Sequence, residues 1–411
     1  MLKNSKFGQA AKKILILDTG KEWGGGTNSL IELVRRVDKK RYAMSALFYN
    51  NYKKGEGSDV KTELERLGVR FIQLDQTRPG AGMKALRETA RSVFFLCPGL
   101  KKKYLFYFDF KSRIMPDAGR ILHVIREGGF DLLYMNNQPS SNLEGIIAAN
   151  AAGIPCIQHA RIETSLNQVE AEAVNRLVAR VICVSNGVRD GLTASGVLPS
   201  KCAVIYNGID VTARPARGRD EVRKELGADE KTLVIGTVGS LIKRKRVALL
   251  LEAASMQKGA FCVVVGNGPE KDALMETAAR LGIMERTRFT GFSNDALSYI
   301  NAMDIFVLPS EKEGFPRVIM EAMLSARPVI AFNVAGAAEM ILDKETGRVL
   351  ADKGDRASAI ASALRELASD RKAMTALGEA GRRRVISEFG IEKYAAAVSN
   401  VFDETLSGVN H

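Results

Sequence analysis

Short β-branched runs alternate with amphipathic helical segments along the whole chain, and this alternation limits the possible folds more than any other feature. In the first half the runs are KKILILD (12–18), YAMSALFY (42–49), VRFIQL (69–74), DLLYMN (131–136), PCIQHA (155–160), RVICVS (180–185) and CAVIYN (202–207). Segments such as SLIELVRRVD, DVKTELERLG and NQVEAEAVNRLVA lie between them. Near-continuous apolar strands separated by amphipathic helices mark parallel sheets covered on both faces. The second half repeats the pattern with TLVIGTVGS (232–240), FCVVVGNG (261–268), TRFTGF (287–292), DIFVLPS (304–310), PVIAFN (328–333) and GRVLA (347–351). The joint falls near VTARPARGRD (211–220), where Pro215, Gly218 and a cluster of charge precede the helix EVRKEL. The expectation is an α/β chain of two doubly wound domains, residues 1–212 and 213–390, facing each other across a cleft. Residues 391–411 are expected to form a last helix that packs back on the first domain.

The chain has 411 residues, 46% of them apolar, which suits two sizeable cores and excludes collagen-like, disordered and disulfide-scaffold classes. Sixty Lys and Arg oppose 47 Asp and Glu, for a net charge of +13. That excess admits three readings: a solvated surface, a face for anionic lipid or nucleotide phosphate, or a nucleic-acid footprint. The five cysteines (Cys97, Cys156, Cys183, Cys202, Cys262) are scattered and form no C-x-x-C pair, which suits a reducing cytoplasm. The basic N-terminus carries only the apolar run Ile14 to Leu17 before Asp18, too short for a signal peptide. The expected location is the cytoplasm, with the inner membrane surface still open.

Five loops that follow strands point to one chemistry. DTGKEWGGGTNSL places Gly24, Gly25 and Gly26 before a helix expected to begin at Thr27 or Asn28, where backbone can approach a ligand and helix N–H groups can face an anion. PCIQHA delivers His159 to a strand end, followed by Arg161 and Glu163, whereas His123 and His411 read as bystanders. GSLIKRKRVALLLEA gathers Lys243, Arg244, Lys245 and Arg246 at a helix entry, where Arg can fork onto phosphate oxygens and Lys acts as a point charge. GNGPE (266–270) is another glycine turn opening a helix, begun by Gly266. The most specific is PSEKEGFPRVIMEAMLSARPVIAF: Glu313 and Glu321 flank a turn made by Gly314 and Phe315, with Pro316 and Arg317 at the start of a helix. Free N–H groups there would favour an anion by ~0.3–1 kcal/mol, and two carboxylates beside them suit hydroxyls at the two ends of a molecule whose middle is a diphosphate.

Taken in order, the WGGGTN loop, His159, SNGV (185–188), VIYNGID (204–210), GSLIKRK, VGNGPE (265–270) and Glu313-x7-Glu321 resemble the family 4 retaining glycosyltransferases, and the resemblance covers nearly the whole chain. It implies the GT-B fold of two Rossmann-like domains, the first binding the acceptor and the second the nucleotide sugar. It also implies that Glu321 holds the ribose, that Glu313 holds the transferred sugar, and that Lys245 and an arginine hold the diphosphate with the backbone after Gly314. His159 would lie near the reacting sugar, Gly25 and Gly26 would shape the pocket, and the base would sit near Phe292. Many relatives carry arginine where this chain has Ser240, and Arg244 is taken as its replacement.

The resulting expectation is retaining transfer of a hexose-type sugar from a nucleotide donor, a UDP-sugar first, to a polysaccharide or lipid-linked acceptor of cell-surface synthesis. Arg244, Lys245 and the helix terminus would stabilise the leaving diphosphate. No D-x-D occurs in the sequence, so transfer is expected without a metal, and no cofactor is expected beyond the donor. Residues Arg91 to Arg113 interleave seven aromatics with six basic residues and only Asp109 as an acid, which suits an interfacial patch on the membrane. Two core-packed helices joined at Pro98–Gly99 are the plainer alternative. A nucleotide-sugar 2-epimerase of the same fold is the alternative activity, and nucleic acid is not an expected partner.

Overall fold

The computed structural model describes residues 10–408 apart from 21–22, 54, 56, 79 and 94–96. Its strands fall on the thirteen runs read from the sequence. In the first sheet they are β1 (Lys12–Asp18), β2 (Tyr42–Phe48), β3 (Arg70–Gln73), β4 (Leu132–Met135), β5 (Cys156–Ala160), β6 (Arg180–Cys183) and β7 (Cys202–Val204). The second sheet has β8 (Leu233–Val238), β9 (Ala260–Val265), β10 (Thr287–Gly291), β11 (Ile305–Leu308), β12 (Val329–Phe332) and β13 (Gly347–Leu350).

The first sheet runs in the order β3-β2-β1-β4-β5-β6-β7 and the second β10-β9-β8-β11-β12-β13. The pairs β1–β2, β1–β4, β8–β9 and β8–β11 are parallel, so each order reverses beside its first strand. Such a switch point opens a crevice beyond the strand ends. It lies beyond β1 and β4 in one sheet and beyond β8 and β11 in the other.

Burial on both faces explains the apolar runs. Ile14 to Leu17 of β1 are at most 1% exposed, as are Val263 to Val265 of β9. Helices cover the faces with one apolar side each. The helix Gly25–Arg36 buries Leu30, Ile31, Leu33 and Val34 and carries Arg35 and Arg36 in its last turn, where cations suit the helix dipole. Asn167 starts the helix Gln168–Leu177 with a reciprocal cap, its Oδ1 accepting from the Glu170 N–H at 3.0 Å while Glu170 Oε2 accepts from the Asn167 N–H at 2.9 Å.

The chain divides into two compact units. One holds residues up to Ile182, Leu192–Ala203 and those from Val398 on; the other holds Cys183–Gly191 and Val204–Ala397. The long segment of the second unit starts at Val204, ahead of the charge cluster at residues 211–220. Backbone pairing is the reason: the Ile209 N–H donates to Phe389 O and the Ile391 N–H to Ile209 O, both at 2.9 Å. In the first unit the Phe402 ring packs edge-on against Tyr42 and Tyr134, at 5.7 and 5.3 Å between centroids.

Candidate functional site

In the second unit the loops after β8 and β11 bring together the residues expected to hold a diphosphate and a sugar. Lys245 Nζ donates to Glu313 Oε1 at 2.5 Å. Arg244 Nη1 lies 3.8 Å from Glu313 Oε2 and donates to Lys312 O at 3.0 Å. Two cations therefore share one carboxylate that is only 6% exposed. Ser240 is exposed at the turn after β8, and Arg244, four residues on, lies beside Glu313.

The four-residue basic run does not act as one group. Arg246 takes a left-handed conformation at φ 47° ahead of the helix Val247–Ser255. Its guanidinium pairs with Asp352 at 2.8 Å and Glu311 at 3.4 Å. Lys243 lines a separate groove of about 430 Å³ with Ile242, Arg246, Glu270 and Arg356. Of the four basic residues, Arg244 and Lys245 are the two beside Glu313, while the Arg246 side chain is paired with Asp352 and Glu311.

The loop after Glu313 is held from beneath. Phe315 is buried, stacked on Tyr206 at 4.8 Å and edge-on to Phe389 at 5.4 Å. Asn207 Nδ2 donates to Phe315 O at 3.3 Å, and Arg317 Nη1 donates to Gly208 O at 3.1 Å. The VIYNGID motif thus fixes the approach to the helix Arg317–Leu324, for which Pro316 is the N-cap. The side chains of Phe315 and Arg317 are spent on this packing, so what the turn offers a ligand is its backbone N–H groups. Glu321 lies in this helix, half-buried, its carbonyl accepting from Ser325 and its carboxylate in no ion pair among the described residues.

Two glycines keep the loops in register. Gly266, at φ 141°, lies so close to the turn after β8 that a Cβ would stand 1.9 Å from Gly239 O. Gly336, at φ 74°, holds the same relation to Gly314 O at 2.0 Å. Gly266, a candidate for the ligand turn, also interlocks two loops, and Gly336 was not singled out in the sequence because its partner lies on another strand's loop. Phe292, beyond β10, is 43% exposed.

The first unit places a different set of groups at its switch point. Asp18, at the end of β1, accepts from Asn136 Nδ2 at 2.7 Å, Asn137 Nδ2 at 2.8 Å and the Gly20 N–H at 2.7 Å. Burial raises its pKa, while those donors and Arg161 pull the other way. Arg161 donates from Nη2 to Asn136 Oδ1 at 2.6 Å. His159 is fully buried, its Nδ1 2.6 Å from Tyr134 Oη. Burial first, then the Arg161 charge, push its pKa well below the ordinary value, so the imidazole is neutral. Asp18, Tyr134, Asn136 and Asn137 were not read from the sequence, although all four stand at or just beyond strand ends.

The helix after β1 starts at Gly25, earlier than expected, because Gly24 serves as its cap and accepts the Asn28 N–H at 3.1 Å. A Cβ at Gly25 would meet nothing within 4 Å, and one at Gly26 would touch Arg161 Cγ at 3.6 Å. His123 is exposed beside Glu127 at 3.1 Å, and His411 lies outside the described residues. Among the described residues no three His, Cys, Asp or Glu side chains are placed to hold a metal ion.

Two family models match the chain: Glycosyltransferase Family 4 over residues 23–213 and Glycosyl transferases group 1 over residues 218–384. The chain is 30% identical over 170 residues to the lipopolysaccharide core biosynthesis glycosyltransferase LpsE of Rhizobium meliloti, a match covering 41% of this chain and 49% of that protein. It is 25% identical over 329 residues to the UDP-Gal:alpha-D-GlcNAc-diphosphoundecaprenol alpha-1,3-galactosyltransferase of Escherichia coli, covering 75% of this chain and 83% of that one. Among solved structures, Anabaena HepE in complex with UDP is similar with a TM-score of 0.76 at 21% identity, over 95% of this chain and all of that one. A glycosyltransferase from Rickettsia africae gives 0.77 at 18% identity, over 97% of this chain and 99% of that one.

Proposed function

Because the chain belongs to the glycosyltransferases that the group 1 and family 4 models describe and has the GT-B fold, we propose that it transfers a hexose-type sugar from a UDP-sugar to a polysaccharide or lipid-linked acceptor, with retention and without a metal. The observation that carries this reading is the Glu313 carboxylate held by Lys245 and Arg244 beside the N-terminus of the helix Arg317–Leu324.

A nucleoside diphosphate competes with Glu313 for the same two cations. When it binds, Lys245 and Arg244 turn to its phosphate oxygens and Glu313 is released to accept hydroxyls of the sugar. Glu321 accepts the ribose hydroxyls, and Phe292 offers a face to the base. In the transfer step the anomeric carbon–oxygen bond to the diphosphate breaks and a bond to the acceptor oxygen forms on the same face. The acceptor proton passes to the leaving phosphate. Negative charge grows on that phosphate as the bond breaks, so its fixed cations act most strongly in the transition state.

The UDP bound to HepE and the UDP-galactose named for the Escherichia coli relative support a uridine donor, and the diphosphoundecaprenol in that name supports a lipid-linked acceptor. The 2-epimerase alternative asks for acid and base groups around the sugar, whereas His159 is fully buried with its Nδ1 taken up by the Tyr134 hydroxyl, which favours transfer. In the proposed reaction His159 orients its neighbours.

A thermal-shift screen of UDP-, GDP- and ADP-sugars tests the donor. A UDP-sugar at a hundred times its dissociation constant adds about 2.7 kcal/mol and raises Tm, with the other nucleotides trailing. No shift with any of them overturns the donor site, and loss of turnover on chelation overturns the metal-free part.

A further inference from the structure

The helix Ala81–Val93 is 13 residues long and largely exposed among its described side chains. Of its described side chains only Arg87 is even partly covered; the rest are exposed. Among them are Met83 at 37%, Leu86 at 49% and Val93 at 69% exposure. Spacings of three and seven residues put these three on one stripe of a helix, and Arg87 and Arg91 lie along its flank. An isolated helix of this length is marginal in water, and burial of an amphipathic face is what normally sustains one.

The next helix, Pro98–Asp109, also exposes apolar side chains, Leu100 at 57% and Tyr107 at 60%, along with Lys102 and Lys103. It is joined to the fold by a π-turn at Phe110–Ile114, where Pro116 removes an N–H that a regular helix would need. The helix Met115–Gly128 that follows buries Ile121 and Ile125. Arg87 Nη2 reaches Asp109 at 3.4 Å and ties the two exposed helices together. Within residues 81–113 eight Lys and Arg oppose Glu88 and Asp109 alone. Phe94 and Phe95, two of the aromatics counted in the sequence, lie outside the described residues.

We propose that the helix Ala81–Val93, with Leu100 and Tyr107 beside it, is the element by which the first unit lies on an anionic lipid surface. The stripe of Met83, Leu86 and Val93 enters the headgroup boundary while the basic flank meets lipid phosphates. A nucleic acid would be met by the cations but would leave the aliphatic stripe without a partner. No described helix is long and apolar enough to cross a membrane, so attachment is interfacial. The proposal places the anchor partly outside the aromatic-rich segment that the sequence marks, on aliphatic rather than aromatic side chains. It rests on the reading above only for its purpose, bringing the enzyme to a lipid-linked acceptor.

The test is co-sedimentation of the full chain with vesicles of equal parts phosphatidylcholine and phosphatidylglycerol, and with phosphatidylcholine alone. Each aliphatic side chain buried in lipid contributes roughly tenfold to partition and each cation near an anionic surface about fivefold. Wild type should pellet with the anionic vesicles and only weakly with the neutral ones. The double variant Leu86→Ser/Val93→Ser should lose tenfold or more of that binding at unchanged Tm, both positions being exposed. Turnover on a soluble acceptor should be kept. Equal binding by wild type and variant, or no binding by wild type, overturns the proposal. So does a wild-type dimer that Leu86→Ser/Val93→Ser dissociates, since a second copy would then cover the stripe. Vesicle binding without turnover on any acceptor leaves the anchor standing and overturns the transferase reading instead.

Discussion

Where each strand order reverses, the first sheet places Asp18 and Asn136 and the second sheet leads to Lys245 and Glu313. The topology is the same, yet the polar groups are used differently. Around Asp18 three donors converge on one buried carboxylate, and Arg161 and Tyr134 extend the network to Asn136 and a neutral His159. Around Glu313 the partners are two cations, Lys245 at 17% and Arg244 at 38% side-chain exposure. Several short hydrogen bonds converging on one buried carboxylate set a shape and resist change, whereas two cations that reach solvent can exchange their carboxylate for another anion that takes its place. The first switch point is a frame; the second is a set of charges ready to change partners.

The strongest way to break this comparison is to remove one member from the exchangeable pair. Lys245→Ala and Glu313→Ala should each lower kcat by ~10²–10³, the size seen when one transition-state charge partner is lost. Far-UV circular dichroism and Tm should stay close to wild type, because neither side chain holds the sheet together. Near wild-type turnover in both variants would show that the pair is structural and that the charges which act lie elsewhere.

The glycines sharpen the same contrast at smaller cost. Gly336→Ala sets a Cβ 2.0 Å from Gly314 O at a backbone φ of 74°, so either the turn before the Arg317 helix shifts or the variant carries strain of ~1–3 kcal/mol. A lower Tm and a weaker shift with UDP-sugar should appear together. Gly25→Ala meets nothing within 4 Å and lies in the first turn of a helix, where alanine is tolerated. Its Tm should hold, and a fall in transfer at constant Tm would reveal substrate approaching that open face. A Gly336→Ala protein as stable and as tight-binding as wild type would refute the interlocked loops.

The fold was legible because its signal is repeated: every strand is a β-branched run bounded by turn residues, and covering both faces makes each run continuous. The second switch point was legible too, since Glu313, Gly314, Pro316, Arg317 and Glu321 lie in one loop and helix whose spacing carries its geometry. What escaped has its partners on separate strands. Asp18 means nothing until Asn136 and Asn137 arrive from β4, and Gly266 reads as a ligand turn until Gly239 O is found against it. Arg246 sits in an unbroken basic run, and only its left-handed φ shows that it turns away. The helix Ala81–Val93 escaped for a different reason: aromatic count drew attention to the residues after it, while its own Met83, Leu86 and Val93 are ordinary in composition and unusual only in being exposed.

The smallest expected effect is a pH slope belonging to the frame. Folding holds His159 neutral and lowers its pKa well below the ordinary value, with burial as the main cause and the Arg161 charge second. Below about pH 6.5 the unfolded chain takes up a proton on this side chain that the folded chain refuses, so stability falls as pH drops from about 7, by at most ~1.4 kcal/mol per pH unit. Buried Asp18 and Glu144 have raised pKa values and act with the opposite sign, but their window opens near the ordinary carboxylate range, about pH 4, and rises from there. Their contribution is common to wild type and variant, so the difference between the two isolates the histidine. His159→Asn keeps an acceptor for the Tyr134 hydroxyl and removes the titration. Urea unfolding of wild type and His159→Asn between about pH 7 and 6 should give a shallower slope in the variant, whatever its absolute stability. Lys245→Ala should keep the wild-type slope, because it leaves His159 and the groups around it untouched. Parallel slopes in wild type and His159→Asn would mean that His159 is protonated in the folded chain and that the first switch point is not the neutral frame its hydrogen bonds describe.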